Sequence, residues 1–264
     1  MDNLKTYLNF FKRNYKKDYI TYAITVTIIS LILVGFTIWT SKVSLAPEMS
    51  FAYSISGLNL IFLFVMGILW GSKDFAGAMT IRSDRKSYFK AMIIFSIISI
   101  LIMYVLDMFV VLTSNIAITT FADNVKINSI NILNLSNSFN LDGDVINNLI
   151  KNMNGLQIFI LSIIKSFMIM LFGVFLGAFA YRLRKATAVI IYIGMPTLSV
   201  ALLAKIAIVL NDSTLVKINN LISSIASNFY ALSLFYIIMS IVFIGLSYLC
   251  LRKAPIGEYA HDWL

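Results

Sequence analysis

Six apolar stretches constrain the fold of this chain more than any other feature of its sequence. They cover residues 19–39, 52–70, 91–113, 157–181, 187–210 and 229–251. Each has about the 20 residues that a helix needs to cross the hydrocarbon core of a bilayer. A helix also satisfies its own backbone hydrogen bonds, which lipid cannot do. The sequence therefore predicts an all-α, polytopic membrane protein with six transmembrane helices in a single domain, residues 1–264.

The composition is typical of a chain that is solvated by lipid. Hydrophobic residues make up 59% of the 264 residues and charged residues only 12%, whereas soluble domains have about 25% charged residues. Too few polar side chains are present to cover the surface of a water-soluble globule. Cys250 is the only cysteine and His261 the only histidine. We therefore expect neither an internal disulfide nor a metal site built from these two residue types.

The distribution of Lys and Arg predicts the orientation in the membrane. Fifteen of the 21 lie in four segments that the six spans place on one side, namely residues 1–18, 71–90, 182–186 and 252–264. The other side has four, which are Lys42, Lys126, Lys151 and Lys217. Because basic loops stay in the cytoplasm, both termini are predicted to be cytoplasmic. The net charge of +9 is then a signal of topology, and we expect no binding of nucleic acid.

The N-terminal segment, residues 1–18, has apolar side chains at helical spacing, namely Leu4, Leu8, Phe11 and Tyr15. Lysines and asparagines occupy its other faces. This pattern predicts an amphipathic helix that lies in the inner headgroup layer. The alternative is an ordinary basic flank of the first span, which has the same composition.

Two segments are predicted on the outer side of the membrane. Residues 114–156 form an extracellular segment rich in Asn, in which we expect one or two short helices. Residues 211–228 are apolar enough to form another short helix that dips into the membrane.

The loop over residues 71–90 is predicted to be cytoplasmic, with five positive and two negative charges and no proline. Phe75, Met79 and Ile81 give it apolar contacts. One interpretation is a helix–turn–helix across residues 74–90, with Ser83 or Asp84 capping the second helix. The other is a solvated, charged hairpin that follows from the excess of basic residues on this side.

Three charged residues lie within predicted spans, namely Asp107, Lys165 and Lys205. Lys205 is near the outer end of its span and is expected to extend to the surface. Asp107 is about 24 Å from the inner start of its span, and Lys165 is about 12 Å from the outer start of its own, at 1.5 Å per residue. The Lys165 side chain can extend towards the outer surface, so its charged group and that of Asp107 are expected to meet in the outer half of the bilayer. Such charges mark translocation paths, but they also form structural ion pairs or reach the outer water singly.

Small residues recur in two of the spans. Gly67 and Gly71 form a GxxxG pattern in the second span, and Gly173 and Gly177 form one in the fourth. The pattern allows two helices to approach closely. Pro196 is expected to kink the fifth span. Both features are common in apolar helices and by themselves indicate no function.

One short segment, from Phe75 to Phe89, reads FAGAMTIRSDRKSYF. It resembles the first cytoplasmic loop in the transmembrane subunits of ABC-2-type (type V) ABC exporters, where an apolar helix and a turn precede Ser/Thr-Arg-Lys and an aromatic pair. Six spans, cytoplasmic ends and an N-terminal amphipathic helix resemble that family too. The chain is similar to its small Firmicutes peptide exporters, such as phenol-soluble modulin exporter permeases.

The resemblance implies a permease subunit of an ATP-driven ABC exporter, which moves amphipathic or antimicrobial peptides out of the bacterial cell or its plasma membrane. Two permeases, as a homodimer, would join two ABC ATPase subunits, which would hold ATP and Mg²⁺. This chain lacks a GxxxxGK motif followed by Ser or Thr and would bind no cofactor and catalyse no reaction itself. The residues implied to contact the ATPase are Lys73, Asp74, Phe75, Met79, Arg82, Asp84, Arg85 and Lys86, with Phe75 and Met79 filling a groove.

Two other functions fit the same sequence. One is an ion-coupled secondary transporter driven by protons or sodium, with Asp107 and Lys165 as the coupling pair. The other is a membrane immunity protein that binds a toxin without pumping it. Transport with ATP and no ion gradient would exclude the first, and an ATPase partner would exclude the second.

Overall fold

The computed structural model describes residues 2–43, 49–50, 56–81, 84–121, 125–126, 153–183, 205, 224 and 228–254. These residues form an all-α protein, apart from one pairing of two very short strands. The helices are α1 (Asp2–Val43), α2 (Ser56–Gly71), α3 (Lys73–Ile81), α4 (Arg85–Phe121), α5 (Gly155–Arg182) and α6 (Phe229–Arg252). Strands β1 (Met49–Ser50) and β2 (Val125–Lys126) pair in parallel.

Four of these helices, α1, α4, α5 and α6, are long and apolar enough to cross a membrane. A fifth crossing is counted if α2 and α3, which are bent by 41° at the break between them, form one broken span. The described residues thus form a membrane protein with four to five such helices. The predicted span over residues 187–210 lies outside the described residues except for Lys205, so the total of six stays a prediction.

Two separate helices were predicted over residues 1–18 and 19–39, but the structure has one unbroken helix there. Residues 1–18 are not a separate interfacial helix, since α1 runs from Asp2 through the whole first span to Val43. Its only strong helix breaker is Gly35, and it contains no proline, so nothing in the sequence interrupts the helical hydrogen bonds. At 1.5 Å per residue α1 is about 63 Å long, roughly twice the hydrocarbon thickness.

The N-terminal part of α1 buries its apolar face on the start of α4. Tyr7, Phe11 and Tyr15 are buried at a spacing of four residues. The ring of Phe11 lies 5.5 Å from that of Tyr88 and 5.4 Å from that of Phe95. The face predicted to lie among lipid headgroups is therefore covered by protein, and amphipathic spacing alone could not distinguish these two apolar surroundings.

The third predicted span is also longer than expected. It was predicted to end at residue 113, but α4 continues to Phe121 and includes the first eight residues of the predicted extracellular segment. No glycine or proline occurs between residues 85 and 121, so the helix has no local reason to stop. Apart from Val125, Lys126 and residues 153–156, the rest of that segment lies outside the described residues.

The chain divides into two compact units. The first unit contains residues 1–62 and 86–138, and the second contains residues 63–85 and 139–264. Helix α1, the first part of α2 and almost all of α4 belong to the first unit. The second part of α2 and helices α3, α5 and α6 belong to the second.

The first unit is joined by tyrosines of α1. The Tyr19 hydroxyl donates a hydrogen bond to Ser99 Oγ at 2.5 Å, and the Tyr22 hydroxyl donates one to Asn59 Oδ1 at 2.8 Å. The Tyr22 ring also stacks on Phe62 with 4.1 Å between centroids. These bonds satisfy polar groups that would otherwise be buried at a cost.

The second unit brings the backbones of α2 and α5 very close together at the glycines of α2. A Cβ atom added to Gly67 would lie 2.2 Å from the carbonyl oxygen of Met170, and one added to Gly71 would lie 2.2 Å from that of Val174. Both distances are far below van der Waals contact. Only glycine fits at these two positions.

The glycines of α5 meet α2 in the same way. A Cβ added to Gly173 would lie 2.3 Å from the Phe64 carbonyl oxygen, and one added to Gly177 would lie 2.1 Å from that of Ile68. The two GxxxG patterns are therefore each other's partners within one chain. This is the close helix approach that small residues at a four-residue spacing permit in membranes.

Helix α6 packs on α5 through aromatic rings and small residues. Phe243 lies between Phe172 and Phe175, with centroid distances of 5.0 and 6.0 Å. The buried residues of α6 include three serines that are seven residues apart, namely Ser233, Ser240 and Ser247. The hydroxyls of Ser240 and Ser247 donate to carbonyls one turn back at 2.7 and 2.6 Å, which keeps them satisfied in an apolar contact.

Candidate functional site

The elbow between the second and third predicted spans (residues 72–90) contains helix α3 and the start of helix α4 among its described residues. Helix α2 ends at Gly71, and the Ser72 amide still donates to the carbonyls of Ile68 and Leu69 at 3.1 and 3.3 Å. The next helical bond runs from the Ala76 amide to the Ser72 carbonyl at 3.3 Å, so α3 starts without an intervening loop. The structure therefore has two helices here, α3 and α4, and not a solvated charged hairpin.

Helix α3 turns its apolar side inward. Phe75, Ala78 and Met79 are buried at the spacing of one helix face, with exposed fractions of 0%, 0% and 4%. Lys73 and Thr80 are exposed on the other side. The side chains expected to fill a groove on an ATPase are thus covered by this chain itself, while the contact with an ATPase stays a prediction.

Asp74 is also turned inward, although it was predicted to face a partner. It is only 8% exposed, and its Oδ2 atom has no hydrogen-bond partner among the described residues. Its place in the first turn of α3 is favourable for a carboxylate, because the helix dipole is positive there.

Arg85, the first residue of α4, contacts the end of α6. Its Nη1 donates to the carbonyl oxygen of Leu251 at 2.6 Å and also to that of Arg252, and its Nη2 donates to that of Ala254 at 2.8 Å. The last carbonyls of a helix lack intrahelical donors, and they lie at the negative end of its dipole. Arg85 therefore caps α6, although it lies more than 160 positions earlier in the chain.

Two aromatic side chains complete this contact. The guanidinium carbon of Arg85 lies 6.0 Å from the centroid of the Phe75 ring. Phe75 in turn meets Tyr181, at the end of α5, edge to face at 5.5 Å. We call this group the Arg85 node: Phe75, Arg85, Tyr181 and the carbonyl groups of Leu251, Arg252 and Ala254. It joins the ends of α5 and α6 to the elbow.

The remaining predicted contact residues are distributed around the elbow. Lys86 is exposed, and Asp84 directly precedes α4 and is half-buried. Arg82 and the predicted cap Ser83 lie outside the described residues. The capping role of Arg85 was not predicted. The only signal for it in the sequence is the missing glycine after Arg252, which leaves the end of α6 without the usual C-terminal cap.

Asp107 and Lys165, the two charged residues deep within predicted spans, are both buried. Asp107 on α4 is 3% exposed and belongs to the first unit, and its Oδ1 atom has no hydrogen-bond partner among the described residues. Lys165 on α5 is 5% exposed and belongs to the second unit. Their pairing stays a prediction.

A small cavity lies between α1 and α4 in the first unit, one turn beyond Asp107. Its volume is about 30 Å³, which is enough for on the order of two water molecules. Hydroxyl and aliphatic groups line it together, from Thr27, Ser30, Leu31, Val34, Val110, Thr113, Ser114 and Ala117. A peptide does not fit in such a space. No group of three or more metal-ligating side chains occurs in the described part of the chain.

Comparison with known proteins gives no relative. No protein-family model matches this chain. No curated protein and no solved structure matches it either. The likeness to ABC-2-type permeases therefore rests on the layout of the spans and the sequence of the elbow alone, and the function attached to it is a proposal.

Proposed function

We propose that this chain is the permease subunit of an ATP-driven ABC exporter for amphipathic or antimicrobial peptides. The observation that carries the proposal is α3, a short helix that follows α2 at a bend of 41° and precedes α4, a helix long and apolar enough to cross a membrane. Its apolar side is anchored within the chain and its polar side is exposed. Such a helix can receive a push from a soluble partner and pass it to the spans.

The proposed orientation places the elbow and both termini in the cytoplasm of a bacterial cell. Contacts within each unit support this arrangement, because described residues in or beside three of the basic segments contact residues of the fourth, the elbow. Tyr7 near the N-terminus contacts Tyr88 at 5.7 Å, Tyr181 contacts Phe75, and the end of α6 contacts Arg85. In the proposed orientation these basic segments share the cytoplasmic side, as the positive-inside rule predicts.

In the proposed complex two copies of this chain join two ATPase subunits. ATP and Mg²⁺ bind to the ATPase, and closure of its nucleotide sites displaces α3. The exposed residues Lys73, Thr80 and Lys86 supply the contact surface on this chain. A second copy supplies the other wall of the peptide path, since the cavity found within the first unit has room only for water.

Reconstituted vesicles test the proposal. Protein purified together with its ATP-binding cassette partner is expected to move a fluorescent amphipathic peptide across the bilayer when ATP is added in the absence of an ion gradient. Lys73→Glu should weaken recovery of the ATPase, because it reverses a charge on the exposed side of α3. Peptide movement that needs no ATPase, or purification that yields no ATPase from its native membrane, would refute the proposal.

A second function is favoured by the environment of Asp107. A buried carboxylate oxygen without a hydrogen-bond partner in the described residues, one turn of α4 from a cavity lined partly by hydroxyl groups, is what an ion-coupled transporter would contain. In the same vesicles an imposed proton or sodium gradient would then drive peptide movement without ATP. Asp107→Asn would abolish that movement. For the ABC exporter we expect no transport under these conditions with either protein.

A further inference from the structure

We propose that Arg85 is a positioning residue that fastens the elbow to the cytoplasmic end of α6, and does not dock the ATPase. The fastening is a property of this chain alone. Its mechanical consequence, that movement of α3 is transmitted to α6, rests on the proposed function.

The first argument is the geometry of the guanidinium group. Both terminal nitrogens of Arg85 are engaged with carbonyl oxygens of Leu251, Arg252 and Ala254. A planar fork with donors on two nitrogens matches several carbonyls at a helix end, whereas an ammonium group offers one point of attachment. Hydrogen bonds with a charged donor are about twice as strong as neutral ones. Little of the group is left for a contact with another protein.

The second argument is the support beneath the guanidinium group. Phe75 has no exposed surface, and its ring faces the guanidinium carbon at 6.0 Å. The ring is held by the edge of Tyr181 at 5.5 Å. A cation over a buried ring is attracted by it more strongly than in water. Phe75 therefore positions Arg85 from α3, and a shift of α3 displaces the guanidinium group with it.

The third argument is the direction of transmission. Arg85 holds backbone atoms at the end of α6, not a mobile side chain. Helix α6 continues from there through the predicted sixth span, against α5, by way of Phe243 with Phe172 and Phe175. Helices are stiff along their axes, so a displacement of the end of α6 is carried into the membrane. Docking residues then lie on the exposed side of the elbow, and Arg85 acts beneath them.

Amide hydrogen exchange on the chain alone, in nanodiscs without ATPase, decides the fastening role. We expect Arg85→Ala to speed exchange at the last turn of α6 by about tenfold or more, because three charge-assisted bonds are lost. Arg85→Lys should give a smaller increase, since it restores the charge but not the fork. Lys90→Ala, which removes an exposed positive charge from the first turns of the same helix, is the matched control and should leave exchange unchanged.

Unchanged exchange at the end of α6 in both Arg85 variants would overturn the inference, whether or not the chain is an exporter. If Arg85→Ala does not fold, Arg85→Lys alone decides, because it keeps the charge and most of the side-chain volume.

The complex with the ATPase gives the readout that a merely structural residue would not change. Arg85→Ala should recover as much ATPase as the unchanged protein while the peptide moved per ATP hydrolysed falls at least about fivefold, and Arg85→Lys should restore part of this ratio. Lys73→Glu should weaken recovery of the ATPase itself. Loss of ATPase recovery in Arg85→Ala with normal exchange in α6 would make Arg85 a docking residue and refute the proposal. Failure of any ATPase to bind the unchanged protein refutes the proposed function, while the exchange data still decide the fastening.

Discussion

Single polar side chains show how the first unit is held together. Asn59 is 7% exposed, and the Tyr22 hydroxyl donates to its Oδ1 atom. Ser99 is completely buried and accepts from Tyr19 in the same way. An unpaired polar atom in such surroundings is more costly than the bond is favourable. The pairs between α1 and the helices beside it should therefore be sensitive to loss of one partner and tolerant of the loss of both.

Removing the Tyr22 hydroxyl tests this asymmetry. Tyr22→Phe leaves the Asn59 side chain buried without its donor, and we expect a loss of about 1–3 kcal/mol of unfolding free energy. Tyr230→Phe is the matched control, since Tyr230 is 74% exposed, and should change little. The measurement is unfolding of the purified protein in mixed micelles by increasing denaturing detergent.

The double variant Tyr22→Phe with Asn59→Leu should recover most of that loss, because both polar groups are then absent. Equal stabilities of the Tyr22→Phe and unchanged proteins would mean that the hydroxyl contributes nothing to the contact.

At the scale of helices, the contact between α2 and α5 is set by its glycines. Each of the four positions lies against a backbone carbonyl of the facing helix. Because backbone cannot rotate away as a side chain can, an added methyl group must push the two helices apart. Closeness of the two axes is therefore a strict requirement at this contact, in contrast to the aromatic packing between α5 and α6.

Replacing Gly71 by alanine should cost stability in proportion to this clash. The new Cβ would lie 2.2 Å from the Val174 carbonyl oxygen and 2.6 Å from the Ala178 amide nitrogen, and we expect a loss of about 1–3 kcal/mol or more. Gly245→Ala, with no atom within 4 Å of its added Cβ, should instead raise stability by up to about 1 kcal/mol. Melting temperatures in detergent distinguish the two, and a Gly71→Ala protein as stable as Gly245→Ala would contradict the close approach.

The buried side of α3 can be tested against its exposed side. Met79→Ala removes a side chain that is 4% exposed, and we expect a loss of about 2–5 kcal/mol. Thr80→Ala alters the neighbouring exposed residue and should leave stability within about 0.5 kcal/mol. The same melting experiment applies. Equal effects of the two substitutions would mean that α3 does not bury the face seen in the structure.

The sequence predicts the elements better than their contacts. The bounds of α5 and α6 lie within about two residues of the predicted spans, because long apolar runs are a direct signal of helices in lipid. The two GxxxG patterns are visible in the sequence. Their contact with each other is not, because it depends on which helices become neighbours. The capping role of Arg85 was hidden for the same reason, since its acceptors are backbone atoms that carry no sequence signal.

At the scale of the whole molecule, the burial pattern fits a chain surrounded by lipid or by further copies. Large apolar side chains on α1, α4 and α6 are exposed along most of their length, including Ile32, Val105 and Ile241 at 65%, 69% and 63%. Monomeric soluble proteins rarely expose apolar surfaces of this size. Polar and buried residues instead concentrate where helices meet, which is the arrangement expected when the surroundings are as apolar as the side chains.

Orientation is the property of the whole molecule that the contacts and the basic residues predict together. We expect single cysteines placed at Lys17, Lys86 or Lys253, in a chain with Cys250→Ser, to resist a membrane-impermeant maleimide added outside intact cells. They should react once the membrane is opened. Cysteines at Lys42 and Lys126, on the predicted outer side, should react in intact cells and serve as the matched set.

The contacts make this prediction stricter than the charge count alone. Tyr7 touches Tyr88 within the first unit, and Arg85 binds the end of α6 within the second, so we expect Lys17, Lys86 and Lys253 to be labelled from the same side. A label that reached Lys86→Cys but not Lys253→Cys would contradict the Arg85 contact itself. If instead both reacted from outside while Lys42→Cys did not, the packing would stand and the orientation would be inverted, which would place α3 out of reach of any cytoplasmic ATPase.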